Sequence, residues 1–118
     1  MRMTVRLKRA YAPAEPGDGF RILVDRLWPR GLTRESARVD LWLKDIAPSN
    51  ELRKWFNHDP KRWRPFRTKY FREIDSHSDA LAVLLEHLSN GPVTLVYAAR
   101  EELYNHAVAL NEYLSSQQ

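Results

Sequence analysis

Val93-Thr94-Leu95-Val96-Tyr97-Ala98-Ala99 is an apolar run without alternation, the pattern of a strand covered on both faces of a parallel sheet. Its flanks agree with that reading. Before it, Leu81, Leu84, Leu85 and Leu88 recur at helical spacing, Ser76 and Ser78 offer caps, and Asn90-Gly91-Pro92 ends the helix. After it, the chain from Glu101 reads as helical again, with Leu103, Ala107, Leu110 and Leu114 on one face. Helix, strand and helix in succession call for a layered α/β fold.

The amino-terminal half adds two more strands. Val5 to Tyr11 alternates polar and apolar residues, and Ile22-Leu23-Val24 is a short apolar run fitting a strand buried on both faces. The stretch between them, 12–19, holds two prolines, two glycines and two acids and reads as a loop. Trp28-Pro29-Arg30-Gly31 stops the second strand, because proline lacks the N–H that a central strand needs.

Helices fill the middle of the chain. Thr33 caps a short one running to about Arg38, and Leu41-Trp42-Leu43 with Ile46 makes a further apolar cluster. Ser49 or Asn50 caps a helix carrying Leu52, Trp55 and Phe56. Asp59-Pro60 looks like a cap followed by proline at the first helical position. Trp63, Phe66, Tyr70 and Ile74 then share a narrow arc opposite Lys61, Arg62, Lys69 and Arg72. In that helix Pro65 predicts either a kink or a start delayed to Pro65 itself. The expected architecture is one α/β domain over 1–118, a small parallel or mixed sheet of three or four strands flanked by helices. Its layering is Rossmann-like or flavodoxin-like, its crossovers are right-handed, and its strand order stays open.

Composition narrows the chemistry. The 118 residues are 43% apolar and 29% charged, an ordinary globular balance. With no cysteine, disulfides, thiolate metal sites and cysteine nucleophiles are excluded, and the cytoplasm is the expected location. The opening segment carries neither the apolar core of a secretory signal nor a membrane-spanning run, and reads as the start of the fold. Glycine-rich phosphate loops, nucleophile elbows, zinc histidine pairs and calcium loops are all missing, so neither cofactor nor metal is expected. Net charge is only +4, yet 18 of the 19 basic residues and 8 of the 15 acidic ones lie at or before Arg72. A basic half of this kind suits an anionic partner or a solvated basic surface equally well.

Ligands of open α/β sheets bind outside the carboxyl ends of the strands. The second strand is followed there by Asp25, Arg26, Trp28 and Arg30, and the last by Tyr97, Arg100, Asn105 and His106, the latter two placed about one turn into a helix. Guanidinium forks at Arg26, Arg30 and Arg100 suit phosphate or carboxylate, or else simply pair with Asp25 to hold a turn. His106 and Asp25 could move a proton, although a lone histidine is more often structural. Among the four tryptophans Trp28 stands nearest the arginines and is the one expected to touch a ligand.

Long ordered strings carry a family resemblance. Gly19 to Gly31, Trp42 to Lys54, Lys8-Arg9-Ala10-Tyr11, Tyr97-Ala98-Ala99-Arg100 and Asn105-His106-Ala107 together resemble the YeaO-like family of bacterial proteins over nearly the whole chain. The resemblance implies a bacterial α/β domain of unknown function, without an established activity or cofactor. It also implies charged and aromatic residues at Asp25, Arg26, Trp28, Arg30, Lys44, Asn105 and His106. Tyr104, where relatives often carry His or Gln, and Pro65 depart from the family pattern, which weakens any mechanism needing a histidine at 104.

Three functions follow as expectations. The first is binding of a small phosphate- or carboxylate-bearing ligand at the carboxyl edge of the sheet, with hydrolase or transferase chemistry through Asp25 or His106 left open. The second is a nucleic-acid module in which Arg2, Arg6, Arg9, Lys61, Arg62, Lys69 and Arg72 follow a phosphate backbone. The third is an interaction or regulatory domain that docks a protein partner.

Overall fold

The computed structural model describes residues 4–117 and contains a four-stranded, fully parallel sheet. Its strands are β1 (Val5–Arg9), β2 (Phe20–Leu23), β3 (Leu41–Trp42) and β4 (Val93–Tyr97), in the order β1-β4-β2-β3. The last strand in sequence is therefore interior in space. It pairs with β1 from Val5↔Val93 to Arg9↔Tyr97 and with β2 from Phe20↔Val93 to Leu23↔Val96. Flanked on both sides and covered on both faces, all five of its residues are buried, which is why its sequence shows no alternation.

Five helices flank the sheet: α1 (Arg34–Ala37), α2 (Asn50–Phe56), α3 (Trp63–Ser76), α4 (Ser78–Asn90) and α5 (His106–Ser116). Ile22, Val24, Val93, Leu95 and Tyr97 meet the apolar faces of α2 to α5 in one continuous core. On the opposite face Ala10, Leu23 and Val96 lie beneath Trp28, Leu32, Val39 and Trp42. Period-two geometry divides β2 between the two layers, with Leu23 on the smaller one.

A buried polar cluster completes that smaller layer. Asp18 is only 1% exposed and receives Lys8 Nζ at 2.9 Å and Arg21 Nη1 at 2.6 Å, while its backbone carbonyl accepts from Thr94 Oγ1 at 2.7 Å. Burial opposes ionisation of Asp18, but the Lys8 ammonium, the Glu15 segment and the Arg21 guanidinium outweigh it and hold its carboxyl below the ordinary value. Arg21 also donates to the carbonyls of Ala37 and Arg38, so one side chain ties the β1–β2 connection to the end of α1.

Three local expectations change. Pro60–Arg62 forms a separate 3-10 turn capped by the Asp59 side chain, so α3 starts afresh at Trp63 rather than Pro65. Pro65 then sits in the first turn, where its missing N–H removes no ladder bond and supplies no cause for a kink. Neither Ser76 nor Ser78 caps α4. Only His77 separates the two helices, its N–H closing α3 onto Glu73 and Ile74, and Ser76 Oγ donates back to Glu73 O at 2.7 Å. The helix expected from Glu101 begins at His106 instead, because the Glu101 carboxylate accepts from the N–H groups of Leu103 and Tyr104 and folds 101–104 into a turn. Leu103 is consequently 69% exposed, not core.

Candidate functional site

The chain leaving β2 turns toward the Trp28 layer, whereas the chain leaving β4 enters α5 in the main core. Adjacent parallel strands whose continuations part to opposite faces leave a crevice at their carboxyl ends. A cleft of about 350 Å³ opens there, between 25–30, Ala98-Ala99, the start of α5 and the side of α2.

Asp25 and His106 form the floor. Asp25 Oδ2 accepts from the Ala98 N–H at 2.9 Å, tying the ends of β2 and β4 together. His106 Nε2 lies 3.1 Å from Val24 O and 2.9 Å from Asp25 Oδ1. Two acceptors around one nitrogen require Nε2 to carry the proton, which leaves Nδ1 as the nitrogen able to accept one. The Val24 carbonyl has the better hydrogen-bond geometry, so the contact with Asp25 Oδ1 is close but poorly aligned, and that buried oxygen has no other partner among the described residues. The histidine reaches this position as the first residue of α5 rather than one turn into it.

Asn105 is the cap that sets this start. Its Oδ1 accepts from Val108 N at 3.0 Å and its Nδ2 donates to Glu101 O at 2.7 Å, so this fully buried side chain is committed to structure. Arg26 lines the cleft, yet its guanidinium donates to the carbonyls of Ala47 and Pro48 at 3.2 and 3.3 Å. It acts as a strut between the end of β2 and the entry to α2. Trp28 also lines the cleft, fixed by its indole N–H on Leu32 O at 2.6 Å and by an edge contact with Trp42.

Of the three arginines expected to bind an anion, Arg30 is the one that lines the cleft with its head free. It is exposed on the cleft, its backbone carbonyl is held by the Tyr11 hydroxyl at 2.8 Å, and among the described residues no carboxylate pairs with its side chain. Three other expected ligand residues are not brought to the cleft. Lys44 lies over the Trp42 ring at 4.3 Å, Arg100 is exposed beyond the lining, and Tyr97 is buried in the core, where desolvation raises its hydroxyl pKa.

Other lining residues went unselected in the sequence. Arg53 reaches the cleft from α2 alongside Phe56, again with no carboxylate partner among the described residues. Its signal was available in part, since Arg53 and Phe56 are three apart and share a helix face. His58 also lines the cleft, held in left-handed backbone at φ 53 with its Nδ1 3.3 Å from Tyr104 O. Tyr104 itself packs edge-on against Trp63 outside the lining.

Four residues of the expected basic face have partners within the fold, while Lys61 and Arg72 are exposed with no carboxylate partner among the described residues. Arg62 and Lys69 both lie over the Trp55 ring, at 5.2 and 4.8 Å. Arg6 approaches Asp18 at 3.8 Å, and Arg9 donates to the carbonyls of Ala98 and Ala99. Arg2 lies outside the described residues. Among the described residues there is no group of acidic and histidine side chains able to hold a metal, and no helix is long and apolar enough to cross a membrane.

Comparison with known proteins gives one family. The family model described as "Inactive DUF488-N3 subclade" matches residues 4–118. The chain is 42% identical over 114 residues to "Uncharacterized protein YeaO" of Escherichia coli (strain K12), a match spanning 97% of this chain and 99% of that protein. It is 42% identical over 111 residues to "Uncharacterized protein Rv3073c" of Mycobacterium tuberculosis (strain ATCC 25618 / H37Rv), spanning 94% and 93%. No solved structure matches it.

Proposed function

Since the chain belongs to the inactive DUF488-N3 subclade, a family of YeaO-like proteins, we propose that it is a binding protein whose ligand is a small phosphate- or carboxylate-bearing anion. The ligand would occupy the cleft at the carboxyl ends of β2 and β4. One observation carries this reading: Arg30 and Arg53 line the same cleft with guanidinium groups that no protein carboxylate among the described residues neutralises. Guanidinium forks match carboxylate and phosphate oxygens, and a concave, partly apolar setting strengthens such contacts over those in open water.

The other polar groups have supporting roles in this reading. Arg26 holds the 25–30 segment against α2, and Asp25 with His106 closes the floor. The test is a thermal-shift screen against carboxylates and phosphate esters. A ligand at 100 times its dissociation constant stabilises by about 2.7 kcal/mol, enough to read directly. The shift should vanish in Arg30→Gln/Arg53→Gln. If the double variant keeps every shift of the parent, the anion site is wrong.

The 2.9 Å approach of His106 Nε2 to Asp25 Oδ1 favours a second reading, hydrolase or transferase chemistry at the same floor. Nδ1 of His106 would then take the proton, because Nε2 faces two acceptors. The word "inactive" in the family description weighs against it. Turnover of p-nitrophenyl phosphate or acetate that disappears in both Asp25→Asn and His106→Gln would establish chemistry; no turnover above buffer would dismiss it. The nucleic-acid reading has less support, because Arg6, Arg9, Arg62 and Lys69 are engaged within the fold and the exposed Lys61 and Arg72 line no cleft with the other cations.

A further inference from the structure

We infer that the ligand is an amphipathic anion: a flat apolar body lying inside the cleft with a single anionic head at its mouth, rather than a sugar phosphate or free inorganic phosphate. This rests on the anion-binding reading above and narrows it to a ligand class.

Most of the inner acceptors are already engaged, the exception being Asp25 Oδ1, which lies 2.9 Å from His106 Nε2 without an aligned hydrogen bond. Ala98 O and Ala99 O accept from Arg9, Ala47 O and Pro48 O from Arg26, Val24 O from His106, and Asp25 Oδ2 from the Ala98 N–H. A hydroxyl-rich body would bring several donors to a wall where most acceptors already hold one, leaving most of those donors desolvated and poorly paired. Apolar surface meets no such cost.

The rim points the same way. Only four large apolar side chains are exposed among the described residues, Tyr11 (44%), Leu27 (65%), Val83 and Leu103, and the first two both line this cleft. Scattered exposed apolar residues need no explanation, but two at the mouth of one partly apolar cleft offer surface that a bound apolar group would cover. Phe56 and Phe66, stacked at 4.1 Å, and the rigid Pro29 and Pro48 make the walls flat and firm. Arg30 and Arg53 provide charge of one sign for the head at the mouth, whereas Asp25, the carboxylate of the lining, lies on the floor against Ala98 and His106.

Calorimetric titration of the full chain with four probes tests this: 2-naphthoate, neutral 2-naphthalenemethanol, inorganic phosphate and ribose 5-phosphate. Naphthoate should bind about tenfold or more tighter than each of the other three, because each lacks either body or head or has a polar body. Arg53→Gln should weaken naphthoate and leave the neutral alcohol unchanged, while Leu27→Ser should weaken both. These two positions are exposed, so the variants should fold as the parent does. If ribose 5-phosphate or phosphate binds as tightly as naphthoate and still depends on Arg30 and Arg53, the amphipathic ligand is wrong while the anion site stands. If none of the anions binds, or binding ignores both arginines, the underlying site falls as well.

Discussion

Asp18 shows how much one residue can organise. Its carboxylate is buried between Lys8 and Arg21, its carbonyl holds Thr94 of the central strand, and it joins loop to sheet where no apolar contact could. Asp18→Asn should leave two cations under-compensated and destabilise the fold by about 3 kcal/mol, read as a lower urea midpoint. The next residue is constrained for a different reason. Gly19 has φ 67, and a Cβ there would collide with the Pro92 carbonyl that receives Phe20 N. Gly19→Ala should therefore cost about 2 kcal/mol or more, whereas Gly31→Ala, with the same sign of φ but open space, should cost about 1 kcal/mol. Comparing the two by denaturation separates steric collision from backbone strain.

Helix ends decide where the candidate site's groups stand. His106 reaches Val24 and Asp25 only because α5 starts there, capped by Asn105, and a helix running from Glu101 would have carried the imidazole elsewhere. Asn105→Ala removes that cap and should cost about 1–2 kcal/mol, with the His106 imidazole resonances shifting as the first turn frays. The start of α3 makes an opposite kind of test. A proline deep in a helix costs about 3 kcal/mol, so Pro65→Ala would stabilise a helix that began at Pro60. With α3 starting at Trp63, Pro65 is in compatible geometry, and the same substitution should instead destabilise by about 0.5 kcal/mol through added freedom of the unfolded chain. The sign of the change in urea midpoint is the measurement.

Titrating groups on opposite sides of the sheet bound the stability of the whole molecule. Asp18 is held below 3.8, so its contribution is complete above that value and is lost as pH falls through the lower folded pKa. Tyr113 donates to Asp75, and that hydrogen bond together with burial pushes its pKa from 10.0 up to about 12. Its contribution is complete below pH 10.0 and fades as pH climbs through 12. Lys8, raised above 10.5 by Glu15 and Asp18, acts in the same alkaline direction. Denaturant midpoints should fall on the acid side only below about pH 4 and on the alkaline side only above about pH 10, with Asp18→Asn removing the first decline and Tyr113→Phe reducing the second. An unchanged profile in both variants would mean that other groups set the limits.

Periodicity was enough for most of the elements, though not for β3, whose Leu41 and Trp42 read only as an apolar cluster. Apolar runs and helical repeats are local patterns, and they predict the central parallel strand, the helical face of Trp63, Phe66, Tyr70 and Ile74, and the caps at Thr33 and Ser49. Strand-end logic selected Asp25, Arg26, Trp28, Arg30 and His106 together with Tyr97, Arg100 and Asn105, and the family resemblance added Lys44, but only the fold shows that the first five line one cleft and the other four do not. Strand order was not legible, because residue spacing along the chain does not say that β4 inserts between β1 and β2. Nor was the fate of each cation. Arg9, Arg26 and Arg21 read in sequence like Arg30 and Arg53, and they differ only in having backbone carbonyls or a carboxylate within reach once the chain has folded. A guanidinium becomes a strut or a free donor according to partners distant in sequence, and only tertiary packing supplies those.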